Sequence, residues 1–265
     1  MKKRLLITLG CSYTEGVGCY GKHNELIGDN GYERFRSRFH KYSWPANLVK
    51  LLNYDKLINL GYGGSGTSGQ LKVFMQKYEH EYFKDYEVLC LWFLSEPTRL
   101  SFYNDGHVKN VQVTNPPDML FTRGYIEEIS DITKDPLLDQ LFYVKLMAQV
   151  CENKNWNFLT FHTNEGLIKD IKEFDKNNYW LHDSYFSDLD DSKLSNICSH
   201  PNEKGYKVIA NKIYNNIKDK NPNLINNENK KDNQIEMIYN GESEHYYSSD
   251  VPLGVLNSNS FKNII

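Results

Sequence analysis

Short apolar runs, each stopped by glycine or a polar turn and each followed by a stretch with helical periodicity, constrain this chain more than any other feature. Residues 5–9 are continuously apolar except for Thr8 and end at Gly10, the pattern of a parallel strand covered on both faces. A polar loop over residues 16–40 leads to Ser43, which can cap a helix with Pro45 in its first turn and with Leu48, Leu51 and Leu52 on one face. Residues 56–60 read as a second strand and 61–69 as a tight turn, after which Leu71, Phe74, Met75, Tyr78 and Tyr82 fall at helical spacing. Residues 88–94 form a third, strongly apolar strand, ended by Pro97. Leu137, Leu141, Val144, Ala148 and Cys151 make the next helical stripe, residues 157–161 a fourth strand and 167–174 a short helix. A fifth strand is expected somewhere in 178–198. From about Asn202 to Lys218, Tyr206, Ile209, Ile213 and Ile217 mark one face of a further helix.

Parallel neighbours need crossover connections, so this alternation implies a parallel sheet between layers of helices, an α/β sandwich of flavodoxin-like, doubly wound type. At 265 residues the chain has room for one sizeable core. The domain is expected to span residues 1–218. It would carry a long insertion at about 97–135, where the adjacent Pro116 and Pro117, the turn signal Asn104-Asp105-Gly106 and weak periodicity suggest an excursion able to act as a lid. Residues 219–265 are rich in Asn, Lys, Asp and Ser, with apolar patches only at 235–239 and 251–256. They read as a polar C-terminal extension, partly disordered or docked on a protein partner.

Composition removes several functional classes. No apolar run approaches the ~20 residues needed to span a bilayer. The net charge of −3 comes from 31 basic and 34 acidic residues mixed along the chain, which argues against a nucleic-acid partner. Five scattered cysteines without metal-ligand spacing argue for reduced thiols, no metal site and a reducing, cytoplasmic setting. The opening MKKRLLITLGC resembles a lipoprotein signal only superficially, because its apolar core falls short of the ~7 to 15 residues required. The Asn-, Lys- and Tyr-rich composition fits an AT-rich genome, bacterial or phage.

In open α/β sheets ligands bind at the carboxyl ends of the strands. Gly10-Cys11-Ser12-Tyr13-Thr14-Glu15-Gly16 follows the first strand, Asn59-Leu60-Gly61-Tyr62-Gly63-Gly64 the second and Ser95-Glu96 the third, while Ser199-His200-Pro201-Asn202 comes late, followed by Gly205-Tyr206. This ordered set resembles the SGNH (GDSL-type) hydrolase family over about residues 5–217. The resemblance implies a three-layer α/β/α sandwich around five parallel strands. It also implies a serine esterase or acyl-hydrolase, with Ser12 as nucleophile and His200 as base, and needing no cofactor. A serine hydroxyl is a weak nucleophile until a neighbouring base takes its proton. The implied oxyanion hole uses the N–H of Ser12, the N–H of Gly64 and a side-chain donor at Ser95, where the family has asparagine. The family's acid lies three residues before the histidine; here that position is Ile197. Either Ser12 and His200 act as a dyad or Asp188, Asp190 or Asp191 reaches in from the preceding loop. The expected substrate is a short acyl ester, such as an O-acetyl group on a carbohydrate. The alternative is a catalytically weakened domain serving as a binding or structural module.

Three other patterns carry less. Gly61, Gly63 and Gly66 match G-x-G-x-x-G, but after the second strand where a dinucleotide fingerprint follows the first. Gly16, Gly21 and Lys22 approach a phosphate-binding loop, but His23 stands where Ser or Thr is needed. Aromatics between Phe102 and Tyr125 could stack on sugar rings, and Trp44-Pro45 reads as an anchor for the first crossover helix.

Overall fold

The structure, a computed structural model, describes residues 2–19, 40–78, 83–95, 99–104, 107–112, 136–162, 181, 185, 189–195, 200–226, 235–239 and 242–243. At its centre β1 (Lys3–Leu9) pairs in parallel with β2 (Lys56–Asn59) on one side and β3 (Tyr86–Leu94) on the other. The antiparallel ribbon of β4 (Arg99–Asn104) and β5 (His107–Gln112) follows in the chain. Next, β6 (Asn157–His162) adds in parallel to β3. At the far edge β7 (Glu236–Tyr239) adds in parallel to β2 and turns back as β8 (Glu242–Ser243). The order is β6-β3-β1-β2-β7-β8, five parallel strands with one short antiparallel edge.

Among the described residues five helices connect and flank these strands: α1 (Ser12–Glu15), α2 (Trp44–Leu51), α3 (Thr67–Tyr78), α4 (Pro136–Asn153) and α5 (Glu203–Lys220). The continuous hydrophobicity of β1 and β3 is used on both faces, because successive side chains point to opposite sides. Leu6, Leu57, Leu89, Leu91, Phe93 and Phe161 pack in one cluster with α2 and α5, whereas Leu5, Ile7, Ile58, Cys90, Trp92 and Phe158 pack in the other with α3 and α4. The result is the expected three-layer α/β/α sandwich. Crossovers from β1 to β2 and from β6 to β7 run one way along the sheet and carry α2 and α5. Those from β2 to β3 and from β3 to β6 run the other way and carry α3 and α4, as a single crossover hand requires.

Local chemistry explains the helix limits. Ser43 caps α2, its Oγ accepting from the Ala46 N–H at 3.5 Å with Pro45 in the first turn. Trp44 is fully buried edge-on to Phe161 at 5.4 Å, the anchor expected of it. Asn202 caps α5 by accepting from the N–H groups of Lys204 and Gly205, and the helix buries Tyr206, Ile209, Ile213 and Ile217. Past the ends of α2 and α4, Asn53 and Asn155 take positive φ angles of 57° and 54°, a conformation asparagine tolerates better than most residues.

Two expectations need correction. In 178–198 the described residues hold the 3₁₀ turn Asp191–Lys193, a bridge from Leu194 to Pro201, and Leu181, whose N–H donates to the Thr160 carbonyl of β6 at 2.9 Å, while the fifth parallel strand of the described sheet lies elsewhere. It comes from residues 236–239, inside the segment expected to be an extension beyond a boundary at 218, and it lies beside β2 instead of β6. Described residues on either side of 227–234 are bonded to the domain: the Tyr54 hydroxyl donates to the Leu224 carbonyl at 2.7 Å, Asn226 Nδ2 donates to the Asn53 carbonyl at 3.0 Å, and Lys56 Nζ meets Glu236 at 2.9 Å. Within the expected 97–135 excursion, β4 and β5 form a hairpin with Asn104 opposite His107, the register that a two-residue Asp-Gly connection favours. β4 lies against α3. The expected helix at 167–174, the remainder of the excursion and the apolar patch at 251–256 lie outside the described residues.

Candidate active site

The chain reverses its direction along the sheet between β1 and β3, and the carboxyl ends of strands at such a switch point are where open α/β sheets bind ligands. Ser12 sits at that point after β1. The one-turn helix α1 is closed by Gly16, which takes φ 100° and donates its N–H back to the Ser12 carbonyl at 3.1 Å. Within that turn the amides of Thr14 and Glu15 both donate to the Cys11 carbonyl, while the Ser12 N–H has no acceptor among the described residues.

His200 arrives from the other end of the sequence. Its Nε2 lies 2.9 Å from Ser12 Oγ, across a separation of 188 residues. Ser12 is 8% exposed and His200 half-buried. Contacts from described residues hold the histidine. The Ser195 N–H donates to the His200 carbonyl at 2.7 Å. The Tyr13 ring lies 4.8 Å from the imidazole, centroid to centroid, at an interplanar angle of 36°. Gly18, at φ 105°, lets the loop after α1 press on this segment, because a Cβ there would collide with the Pro201 carbonyl and come within 3.0 Å of His200 Cβ. The neighbouring Val17 carbonyl accepts the Tyr206 hydroxyl at 2.7 Å, tying the same loop to α5.

Gly64 belongs to a four-residue turn over 62–65, closed by Ser65 N–H donating to the Tyr62 carbonyl at 3.1 Å. Its φ of 77° at the third position is the type II arrangement, which favours glycine. The turn hangs from the residues that carry Ser12. Tyr62 N–H and Ser65 Oγ both donate to the Gly10 carbonyl, at 3.0 and 3.2 Å, and Gly63 N–H donates to Glu15 Oε2 at 2.6 Å. A Cβ on Gly64 would meet nothing within 4 Å, so this glycine borders open space.

Of the remaining predicted residues, Ser95 and Asp190 are bonded elsewhere. Ser95 is buried, its hydroxyl 3.3 Å from Thr67 Oγ1 and its carbonyl accepting from Gln140 Nε2 at 2.6 Å, so its bonds link β3 to α3 and α4. Asp190 caps the Asp191–Lys193 turn, accepting from the N–H and hydroxyl of Ser192 and pairing with Lys193 Nζ at 2.8 Å. The Lys193 ammonium, followed by the Ser192 hydroxyl, holds the Asp190 carboxyl at about 2, well below its ordinary value. Asp191 is exposed. Asp188 and Ile197 lie outside the described residues.

Sequence reasoning assigned no role to the residue that joins these parts. Asn59, fully buried at the end of β2, accepts at Oδ1 from Thr8 Oγ1 at 3.1 Å and from Gly61 N–H at 2.9 Å. Its Nδ2 donates to the Thr14 carbonyl at 2.9 Å and meets His40 Nδ1 at 3.3 Å. One side chain therefore fixes the helical turn carrying Ser12 against the strand leading to Gly64. The signal for it was a polar residue closing β2 directly after Leu57 and Ile58. Glu15 stands between Thr14 and Gly16 in the sequence, and only the fold shows that it is fully buried and holds the Gly63 amide.

Among the described residues no group of three or more His, Cys, Asp or Glu side chains is arranged to hold a metal ion, and no helix is long and apolar enough to cross a membrane. Cys11, Cys19, Cys90 and Cys151 are buried, and burial, with a hydrogen bond to Cys151, pushes the Cys90 thiol well above its usual range. Compared with known protein families and with characterised protein sequences, the chain matches none.

Proposed function

We propose that this chain is a serine-dependent ester hydrolase of the SGNH type, in which Ser12 is the nucleophile and His200 the general base. The observation that carries this reading is the 2.9 Å contact between Ser12 Oγ and His200 Nε2 at the topological switch point. That separation is within reach for direct proton transfer. In the proposed reaction Ser12 Oγ attacks the ester carbonyl and passes its proton to Nε2. The oxyanion takes hydrogen bonds from the Ser12 and Gly64 N–H groups, donors of a kind that each contribute on the order of 10²-fold. His200 then protonates the leaving alcohol. Water, activated by the same nitrogen, releases the acid from acyl-Ser12. The substrate class that fits this chemistry is a short acyl ester, such as an O-acetyl carbohydrate.

A second reading has its own support: the Ser95 hydroxyl is engaged with Thr67, and Asp190 is committed to Ser192 and Lys193. In that reading the domain is a catalytically weakened module that binds a partner protein or builds a larger assembly. Hydrolysis of p-nitrophenyl acetate, measured beside Ser12→Ala and His200→Ala, separates the two. The hydrolase reading expects both variants to lose at least about 100-fold. Wild-type turnover no faster than the variants, together with failure of a fluorophosphonate to label Ser12, would leave the module reading standing.

A further inference from the structure

We propose that Tyr13 is a positioning residue for His200, its ring face fixing the imidazole toward Ser12 and favouring the imidazolium that forms when Ser12 gives up its proton. The catalytic part of this inference rests on the hydrolase reading; the effect on His200 itself does not.

Tyr13 and Ser12 are consecutive on α1, so one turn of backbone presents both the nucleophile and the ring to the same histidine. The ring is itself held. Phe93 meets it edge-on at 5.8 Å and 88°. Phe93 is 1% exposed and stacks on Phe161 at 4.9 Å, and Phe161 is gripped in turn by Trp44 and Tyr185. The plane of Tyr13 is therefore set by the packed core. His200 lies 4.8 Å from that ring, with Nε2 on Ser12. An aromatic face carries negative charge density and attracts a cation within about 6 Å of its centroid, an effect equivalent to roughly 2- to 30-fold in an equilibrium. The ring thus acts on the charged state of His200 more than on the neutral one.

Among the described residues, the charged groups on the elements packed against His200 are Glu15 on α1, Asp190, Asp191 and Lys193 in the preceding turn, and Glu203 and Lys204 in the first turn of α5. A comparison of Tyr13→Phe with Tyr13→Leu keeps all of them and removes only the ring in the second variant. The experiment follows the His200 imidazole by NMR over pH 4–9 in wild type and both variants, alongside the pH profile of ester hydrolysis. Tyr13→Phe should match wild type. Tyr13→Leu should move the His200 midpoint down by about 0.3 to 1.5 pH units and lower the plateau of kcat/KM by about 2- to 30-fold, with the acid limb shifted the same way. Tyr13→Met, closer in volume, replaces the leucine variant if that one does not fold. An unmoved His200 midpoint in the ring-less variant overturns the proposal even if activity falls. A wild type without Ser12-dependent turnover overturns the hydrolase reading, and the NMR midpoint still decides the inference.

Discussion

Replacing Asn59 by alanine tests whether one buried side chain holds the two halves of the site together. The substitution removes four polar contacts: Thr8 Oγ1, Gly61 N–H, the Thr14 carbonyl and His40 Nδ1. The Thr8 hydroxyl can rotate. The two backbone groups have little freedom, because Gly61 packs so closely on the backbone of Thr14 and Glu15 that a Cβ at Gly61 would collide with both. Leaving a buried backbone group unsatisfied costs about 1–3 kcal/mol. Two such groups give about 2–6 kcal/mol, reduced if water enters the vacated space, so about 3 kcal/mol is expected. For a chain of this size that corresponds to a Tm lower by roughly 6–12 °C. Thr8→Val, which removes a single hydroxyl contact, should cost only about 1 kcal/mol. Urea unfolding of the three proteins measures both values. Ester hydrolysis per mole of folded protein should fall by about 10²-fold in Asn59→Ala, as expected when reacting groups are misplaced by about 1 Å. A loss of stability under about 1 kcal/mol, or full activity in the folded variant, would refute the reasoning.

Two further pairs of substitutions test individual contacts. Gly64→Ala should cost about 1–2 kcal/mol from its left-handed backbone alone, since its Cβ would meet open space, while Gly61→Ala should be the more damaging because it forces backbone apart; thermal melts rank them. Glu236→Gln should destabilise by about 1–3 kcal/mol by removing the carboxylate 2.9 Å from the Lys56 ammonium, whose side chain is 4% exposed, whereas Lys56→Met should be close to neutral; urea midpoints of both variants test this.

The parts legible in the sequence are those governed by local pattern. The buried strands announce themselves because both faces are covered, leaving β1 and β3 with no polar alternation to blur them. The helix starts at Ser43 and Asn202 follow from capping chemistry that acts within three residues. The pairing of Ser12 with His200 was legible only as order along the chain, through a resemblance, and the 2.9 Å contact is a property of the fold. Where the sequence misled, the cause was non-local. Residues 235–239 form a short apolar patch in polar surroundings, and nothing within ten residues reveals that β2 presents an open edge to receive them. Ser95 occupies the expected place after β3, yet its direction is set by Thr67 and Gln140, which lie 28 and 45 residues away.

The location of β7 gives the C-terminal segment a part in the site. By pairing with β2 it brings Tyr239 onto the His40 ring, stacked at 4.3 Å and 24°. His40 meets Asn59, and Asn59 fixes both the α1 turn and the backbone leading to Gly64. Had the fifth strand added beside β6, as in the flavodoxin order, the His40 side of β2 would form the edge of the sheet. Placed where it is, the strand covers the region on which the geometry around Ser12 depends. A segment that composition marks as peripheral is therefore coupled to the nucleophile through one stacked ring and one buried amide.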